Sequence, residues 1–581
     1  MYAYIDEMEK RFSDDERDML RRIYAPTVVG VPLGDSRRHV CILKDGEIRS
    51  YEMRHLPDAE NTPPLSYLSS RDGGISWKKH YAKGKMGSCT YIEKGDLYLT
   101  TVEEHNGERG LFVYRSALGP DDASPQVIRI SERPHGDTFL PKQSAFSDRI
   151  WFTSQARGVG EQAEQLVCVF CYSDDLGKSW VRREITRREG WELTPPHKGM
   201  RWSIRSGVEP YVEELSEGRM MMIIRSPFDS FYVSYSEDGG DSWSEPEPST
   251  FYGTNTTAFL LRLRDGRMLA FWNNTSPLPQ QDPCEAIPAL DEETAAGIWE
   301  DVFTNRDAAH AAISEDGGET FIGYREILLN PIRNAPDFRY TGDPMTSRDK
   351  SVHQFQAFEL PYGKVLVSAG QNEAARRLVI FDVNWLYEST RQEDFLHGLS
   401  DLTYHTYVKS ISGCTVRAVG NGHCAWNRLP CALLLPDPDG GYGETLYVGG
   451  QGDPHAINAT KGIAWNFPAA ARGRIALTVK VAGEGFSLSL TDRWYNVCDP
   501  NVSDVAPFTV HLTKEQLGAA FADLVLAYDT KKGEAALSAN GRPLLTLPMQ
   551  TDCKTGLSYL ILQTNGKEEG LYVRSLAKED L

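Results

Sequence analysis

Short stretches of alternating apolar and polar residues recur along the chain, each broken once by a tight polar turn. "RHVCILKDGEIRSYEMR", "SCTYIEKGDLYLTTVEE", "QSAFSDRIWFTSQA", "EPYVEELSEGRMMMIIRS", "TTAFLLRLRDGRMLAFWNN" and "HQFQAFELPYGKVLVSAG" each read strand, turn, strand. A second pattern, Ser-x-Asp-x-Gly-x-Ser/Thr-Trp/Phe, follows other alternating runs: Ser70 to Trp77, Ser173 to Trp180, Ser236 to Trp243 and Ser314 to Phe321. Its Asp and Ser side chains can bond nearby backbone amides, its Gly can take a positive φ, and its aromatic leaves the turn to pack. Each box is therefore read as a self-stabilised hairpin turn, an architectural device and not a catalytic one.

Box spacing sets the architecture. The gap from Ser70 to Ser173 is wide enough for two units, one with a degenerate turn near "YRSALGPDD". Six hairpin units of four strands, with no long helical pattern between them, predict an all-β fold: a six-bladed β-propeller over residues 25–398. Residues 1–24 read as a helical lead-in. Beyond residue 399 the boxes stop, and short strands with Gly/Asn turns, such as "GRIALTVKVAGEGFSLSLTD", predict a C-terminal β-sandwich of jelly-roll or lectin-like type over 399–581.

Composition narrows the partners. A net charge of -19 opposes nucleic acid and anionic lipid, and no apolar run approaches the length of a membrane span. The opening "MYAYIDEMEKRFSDDERDML" is charged where a signal peptide would be apolar, and the ten Cys lack paired spacings, so a cytoplasmic protein with reduced thiols is expected. Cys168 and Cys171 form a CxxC inside "LVCVFCYS", where strand packing is the expected role. No cofactor or metal constellation is read; "DPDGG" at 437–441 is a turn that could also seat a calcium. Oligomeric state is not readable.

Strand direction locates the pocket. In a meander of four strands, the start of the first, the end of the second and the start of the third share one face, and the boxes lie on the other. Glu209 and Arg225 are equidistant from a turn near Glu217, so they should be cross-strand neighbours on the pocket face. Arg306 precedes the box at Ser314 by eight residues, at the start of a third strand on the same face. A buried carboxylate beside inward arginines fits either an anionic ligand or a structural ion pair.

With these residues the chain resembles the sialidase (neuraminidase) superfamily over about two-thirds of its length. The resemblance implies that Glu209 is the catalytic Glu and that Arg225 and Arg306 clamp a sugar carboxylate. The family's first arginine is matched near Arg37 and Arg38, and Trp202 and Arg205 are candidate pocket walls. The family's Tyr nucleophile is missing: its place is taken by Val352, His353 and Gln354. Either Tyr340 swings in from the loop "PDFRYTGDPMTSRDKS", or His353 or Gln354 orients a water that Glu209 activates for single displacement. For the acid partner the first candidate is Asp58, with Glu60, Asp343 and Asp349 as rivals. The resemblance implies an exo-acting glycoside hydrolase releasing a terminal carboxylated sugar, sialic acid first, from an acidic oligosaccharide or sialoside. The alternatives are a hydrolase or lyase of another acidic sugar such as a uronic acid, or a non-catalytic carbohydrate-binding propeller.

Overall fold

Each alternating segment folds as an antiparallel hairpin in the computed structural model, which describes residues 2–33, 39–52, 66–157, 166–185, 208–226, 228–253, 256–276, 306–331, 352–370, 375–408, 427–441, 443–449, 460–565 and 570–581. The first hairpin pairs Val40–Ile42 with Ile48–Tyr51. The second pairs Thr90–Ile92 with Leu97–His105, and the third Lys142–Gln143 with Ile150–Arg157. Val208–Ser216 with Arg219–Arg225 forms the fourth, Phe259–Arg262 with Met268–Trp272 the fifth, and Gln356–Leu360 with Lys364–Ala369 the sixth. All six belong to the first of two compact units, which comprises Met1–Asn273, Ile313–Thr320 and Lys350–Trp385.

Consecutive hairpins pack side by side in chain order through their first strands, except that the third meets the fourth through its second strand. Between the first and sixth hairpins one side chain bridges the inner strands. Gln356 Oε1 accepts the Val40 N–H at 3.0 Å while its Nε2 donates to the Val40 carbonyl at 3.4 Å, so an amide side chain imitates a strand partner. Among the described residues, then, six inner hairpins ring one axis, the arrangement of a β-propeller. The last sheet is completed by Thr27–Gly30 from the start of the chain, which pairs with Arg377–Asp382. This closes the ring with backbone hydrogen bonds between the two ends of the unit.

Apolar layers fill the spaces between sheets. Cys168 packs with Phe170, Met222 and Ile224 on one side of the third sheet, and Cys171 with Leu99, Val113 and Phe152 on the other. Three residues apart on one strand, the two thiols face opposite layers, so the CxxC is core. Burial pushes Cys171 up to about 12. The helices Ala3–Arg11 and Asp14–Arg22 bury Met8 and Leu20 against Ile42, Ile48, Leu366 and Ile380, and Ser13 with Glu16 forms a capping box on the second helix.

The boxes are built as their residue types require. In the first, Ser70 Oγ donates to Asp72 at 2.7 Å and accepts the Gly74 N–H at 2.8 Å, Asp72 accepts the Ser76 N–H at 3.0 Å, and Trp77 Nε1 donates to the Gly74 carbonyl at 2.9 Å. The other three repeat the Ser–Asp and Ser–Gly bonds. In the second sheet Ser116 bonds Asp122, whose Oδ1 accepts the Ser124 N–H at 2.8 Å, a box with its spacing stretched.

The second unit, Asn274–Ala312, Phe321–Asp349 and Leu386–Leu581, contains two antiparallel sheets over one apolar core that includes Leu446, Trp465, Leu477, Leu488, Leu524 and Leu560. This is a β-sandwich. It begins earlier than residue 399, because Arg391–Glu393 pairs with the final strand Gly570–Glu579. "DPDGG" is a turn whose Asp437 takes a two-pronged bond from Arg574 at 2.7 and 2.9 Å. That guanidinium holds Asp437 down at about 2. Among the described residues no helix is long and apolar enough to cross a membrane.

Candidate functional site

The fourth hairpin is where local sequence departs from regular pairing. Arg225 pairs across the ladder with Val208, and the register then shifts before Tyr211 pairs with Ile223. Glu209 and Pro210 form the bulge. Equal spacing from the turn made Glu209 the expected partner of Arg225; the structure moves the pairing by one residue. Pro210 brings no N–H to the ladder, so the bulge orphans no donor there. Glu209 takes a left-handed backbone, φ 49°, although it is a non-glycine residue preceding proline. The bulge turns the Glu209 side chain to Arg225, whose Nη1 donates to Oε2 at 2.8 Å. Both side chains are buried, at 3% and 4% exposure. The expected neighbours therefore meet, through a strained bulge in place of flat pairing.

Around this pair the third hairpin contributes Gln155, buried at the far end of its second strand. Gln155 Oε1 accepts the Glu209 N–H at 3.2 Å, and its Nε2 donates to the Asp137 carboxylate. In the sixth hairpin, His353 and Gln354 stand just before the first strand. Gln354 Nε2 lies 3.2 Å from His353 Nε2, Gln354 N–H donates to Thr257 Oγ1 at 3.2 Å, and the Gly370 N–H donates to the His353 carbonyl at 2.5 Å. Both side chains are buried.

Arg376 is a residue that the sequence reading missed. Fully buried, it stands one residue before the third strand of the last sheet, Arg377–Asp382, and donates from Nε to the Gly370 carbonyl at 2.9 Å. The strand-direction rule that selected Arg306 selects it too. Near it, His39 is held between Ser50 Oγ at 2.9 Å and Ser368 Oγ at 2.7 Å. Burial, and secondarily the Arg376 charge, hold His39 well below its usual range, so it is neutral. Gln155 and Asp137 were also missed; the end of a second strand is a pocket-face position, which would have flagged Gln155.

Arg306 belongs to the second unit, where it is fully buried two residues before the strand Ala308–Ser314. Its neighbour Asp307 accepts from Asn330 Nδ2 at 2.9 Å. Asp58, Glu60, Arg37, Arg38, Trp202, Arg205, Tyr340, Asp343 and Asp349 lie outside the described residues. Among the described residues no group of three or more His, Cys, Asp or Glu side chains could hold a metal ion. What the described site can do chemically is hold a carboxylate beside a guanidinium, with amide and imidazole groups on the same face of the ring.

Comparison with family models matches a BNR repeat-like domain to residues 137–368, the segment that carries Glu209, Arg225, Arg306, His353 and Gln354. No curated protein matches the chain. Among solved structures, Trypanosoma rangeli sialidase is 12% identical with a TM-score of 0.34, covering 97% of this chain and 92% of that one. A protein of unknown function from Dyadobacter fermentans is 15% identical, TM-score 0.37, over 62% of this chain and 97% of that one. Xylan beta-1,4-xylosidase from Bacillus halodurans is 10% identical, TM-score 0.27, over 96% of this chain and 100% of that one.

Proposed function

We propose that this BNR repeat-like propeller works as an exo-acting glycoside hydrolase that removes a terminal carboxylated sugar, sialic acid first, from an acidic oligosaccharide. The observation that carries the reading is Glu209: a nearly fully buried carboxylate on a strained bulge, 2.8 Å from Arg225. Backbone strain of this kind persists where the surroundings over-determine it, and it clusters at sites of chemistry.

In the proposed reaction the sugar carboxylate binds Arg225. Glu209 takes a proton from water as the water oxygen attacks the anomeric carbon, and an acid, with Asp58 the first candidate from the sequence, gives a proton to the departing oxygen. His353 and Gln354 stand where the family resemblance places a Tyr nucleophile, and neither an amide nor an imidazole is a phenolate. A direct attack by water inverts the anomeric configuration, whereas a covalent route through Tyr340 retains it.

An aryl sialoside and an aryl uronide, supplied to the full chain, test the substrate class: release from the sialoside supports the reading, and release from the uronide alone moves it to another acidic sugar. Proton NMR of the nascent sugar, recorded before mutarotation, should show the inverted anomer. Turnover of neither substrate would favour a second reading, a carbohydrate-binding propeller in which Glu209 and Arg225 staple one sheet.

A further inference from the structure

Three non-glycine residues with left-handed backbone stand near the starts of first strands: Asp137 at φ 52°, Glu209 at φ 49° and Gln354 at φ 65°. Asp137 and Glu209 belong to neighbouring hairpins, and a single side chain joins them. From this joint we propose that Gln155 and Asp137 are positioning residues for Glu209, with the Gln155 amide holding the Glu209 backbone in its left-handed state and Asp137 fixing which way that amide points.

The hydrogen bonds permit only one orientation. The Glu209 N–H can only donate, so the Gln155 atom facing it at 3.2 Å is the carbonyl oxygen. The amide nitrogen then faces Asp137, whose carboxylate accepts from it. A flipped amide would set a donor against the Glu209 N–H and an acceptor against the Asp137 carboxylate, two repulsions in place of two bonds. Asp137 thus acts through Gln155 on Glu209. The Glu209 N–H lies in the bulge, where regular pairing is interrupted, and Gln155 supplies the acceptor for it. Gln155 is itself held in strand pairing with Cys168, and the Pro210 carbonyl accepts from Thr153 Oγ1 at 2.5 Å, so the third sheet grips both residues of the bulge. Without the amide, Glu209 is expected to relax to negative φ, which swings its carboxylate away from Arg225.

This inference rests on the reading of Glu209 as the general base, and its test has one arm that does not. Crystal structures of Gln155→Leu and of the near-isosteric Gln155→Met, neither of which offers an oxygen to the Glu209 N–H, should show Glu209 at negative φ with the 2.8 Å contact to Arg225 lost; Gln155→Met serves if the Leu variant does not fold. Glu209 unchanged in φ and contact overturns the proposal whether or not the protein turns over any substrate. In the kinetic arm, on an aryl sialoside, kcat should fall about 10²-fold or more in Gln155→Met with KM changed less than about threefold, since a displaced base loses most of its contribution. Asp137→Asn should fall less, because an amide can still accept from Gln155 through its oxygen, while Asp137→Leu should fall further than Asp137→Asn. Unchanged kcat in Gln155→Met overturns the positioning role. Wild-type inertness on every acidic glycoside defeats the hydrolase reading instead and leaves the crystallographic arm to decide whether the joint holds Glu209.

Discussion

Glu209 combines burial, an ion pair and a left-handed backbone, and each has a measurable consequence. Removing Arg225 leaves a carboxylate at 3% exposure without its guanidinium, a change that costs about 3 to 5 kcal/mol for a buried pair. Arg225→Ala should therefore lower thermal stability strongly as well as weaken substrate binding, whereas Arg225→Lys should fold, keep a charge, and raise KM through loss of the planar fork. Calorimetry and KM measured on both variants separate the two effects; equal stability of Arg225→Ala and wild type would show that the pair is not the buried contact described. The meeting of Glu209 with Arg225 was legible from equal distances to a turn. The bulge was not, because it depends on how the Pro210 carbonyl and the Glu209 N–H find partners in the neighbouring sheet, which local spacing does not encode.

At the level of elements, the boxes were legible because their bonds join residues only two to four apart. The start of the sandwich was not, since Arg391–Glu393 finds its partner in the last strand of the chain. A box glycine shows how tightly these turns pack: at Gly240, φ 98°, an added Cβ would stand 2.1 Å from the Phe170 ring. Gly240→Ala is expected to cost roughly 1 to 3 kcal/mol through overpacking, more with the strain of positive φ, read as a lowered denaturant midpoint. Acid should lower the stability of the protein in two stages. Burial lowers His135 to about 4, so the unfolded chain binds the proton more readily, and stability is lost as pH falls from about 6.5 towards 4. Bonds from Ser179 and Ser242 outweigh burial to hold Asp175 and Asp238 at about 2, and a bond from Thr320 does the same for Asp316. Their contribution is present above the unfolded carboxylate range and disappears as pH falls from about 4 to 2. Solvent screening keeps each small at these exposed turns. Thr320→Ala should flatten the lower stage, and an unchanged acid profile would show that these bonds do not act on stability.

On the scale of the molecule, the all-β character and the ring of hairpins follow from patterns that repeat along the chain, and repetition makes a fold readable from one sequence. A site formed where those repeats converge is less readable, because each hairpin contributes a different residue: Gln155 from the third, Glu209 and Arg225 from the fourth, His353 and Gln354 from the sixth. Gln155 and Arg376 carry no motif and become visible only when the strand directions are laid around the axis. The most direct test is the steady-state hydrolysis of an aryl sialoside by wild type and Glu209→Gln, with binding of the free sugar measured on both. A general base predicts a fall in kcat of about 10² to 10⁴ with sugar affinity retained through Arg225; full activity in Glu209→Gln would contradict the assignment of Glu209 and of the site around it.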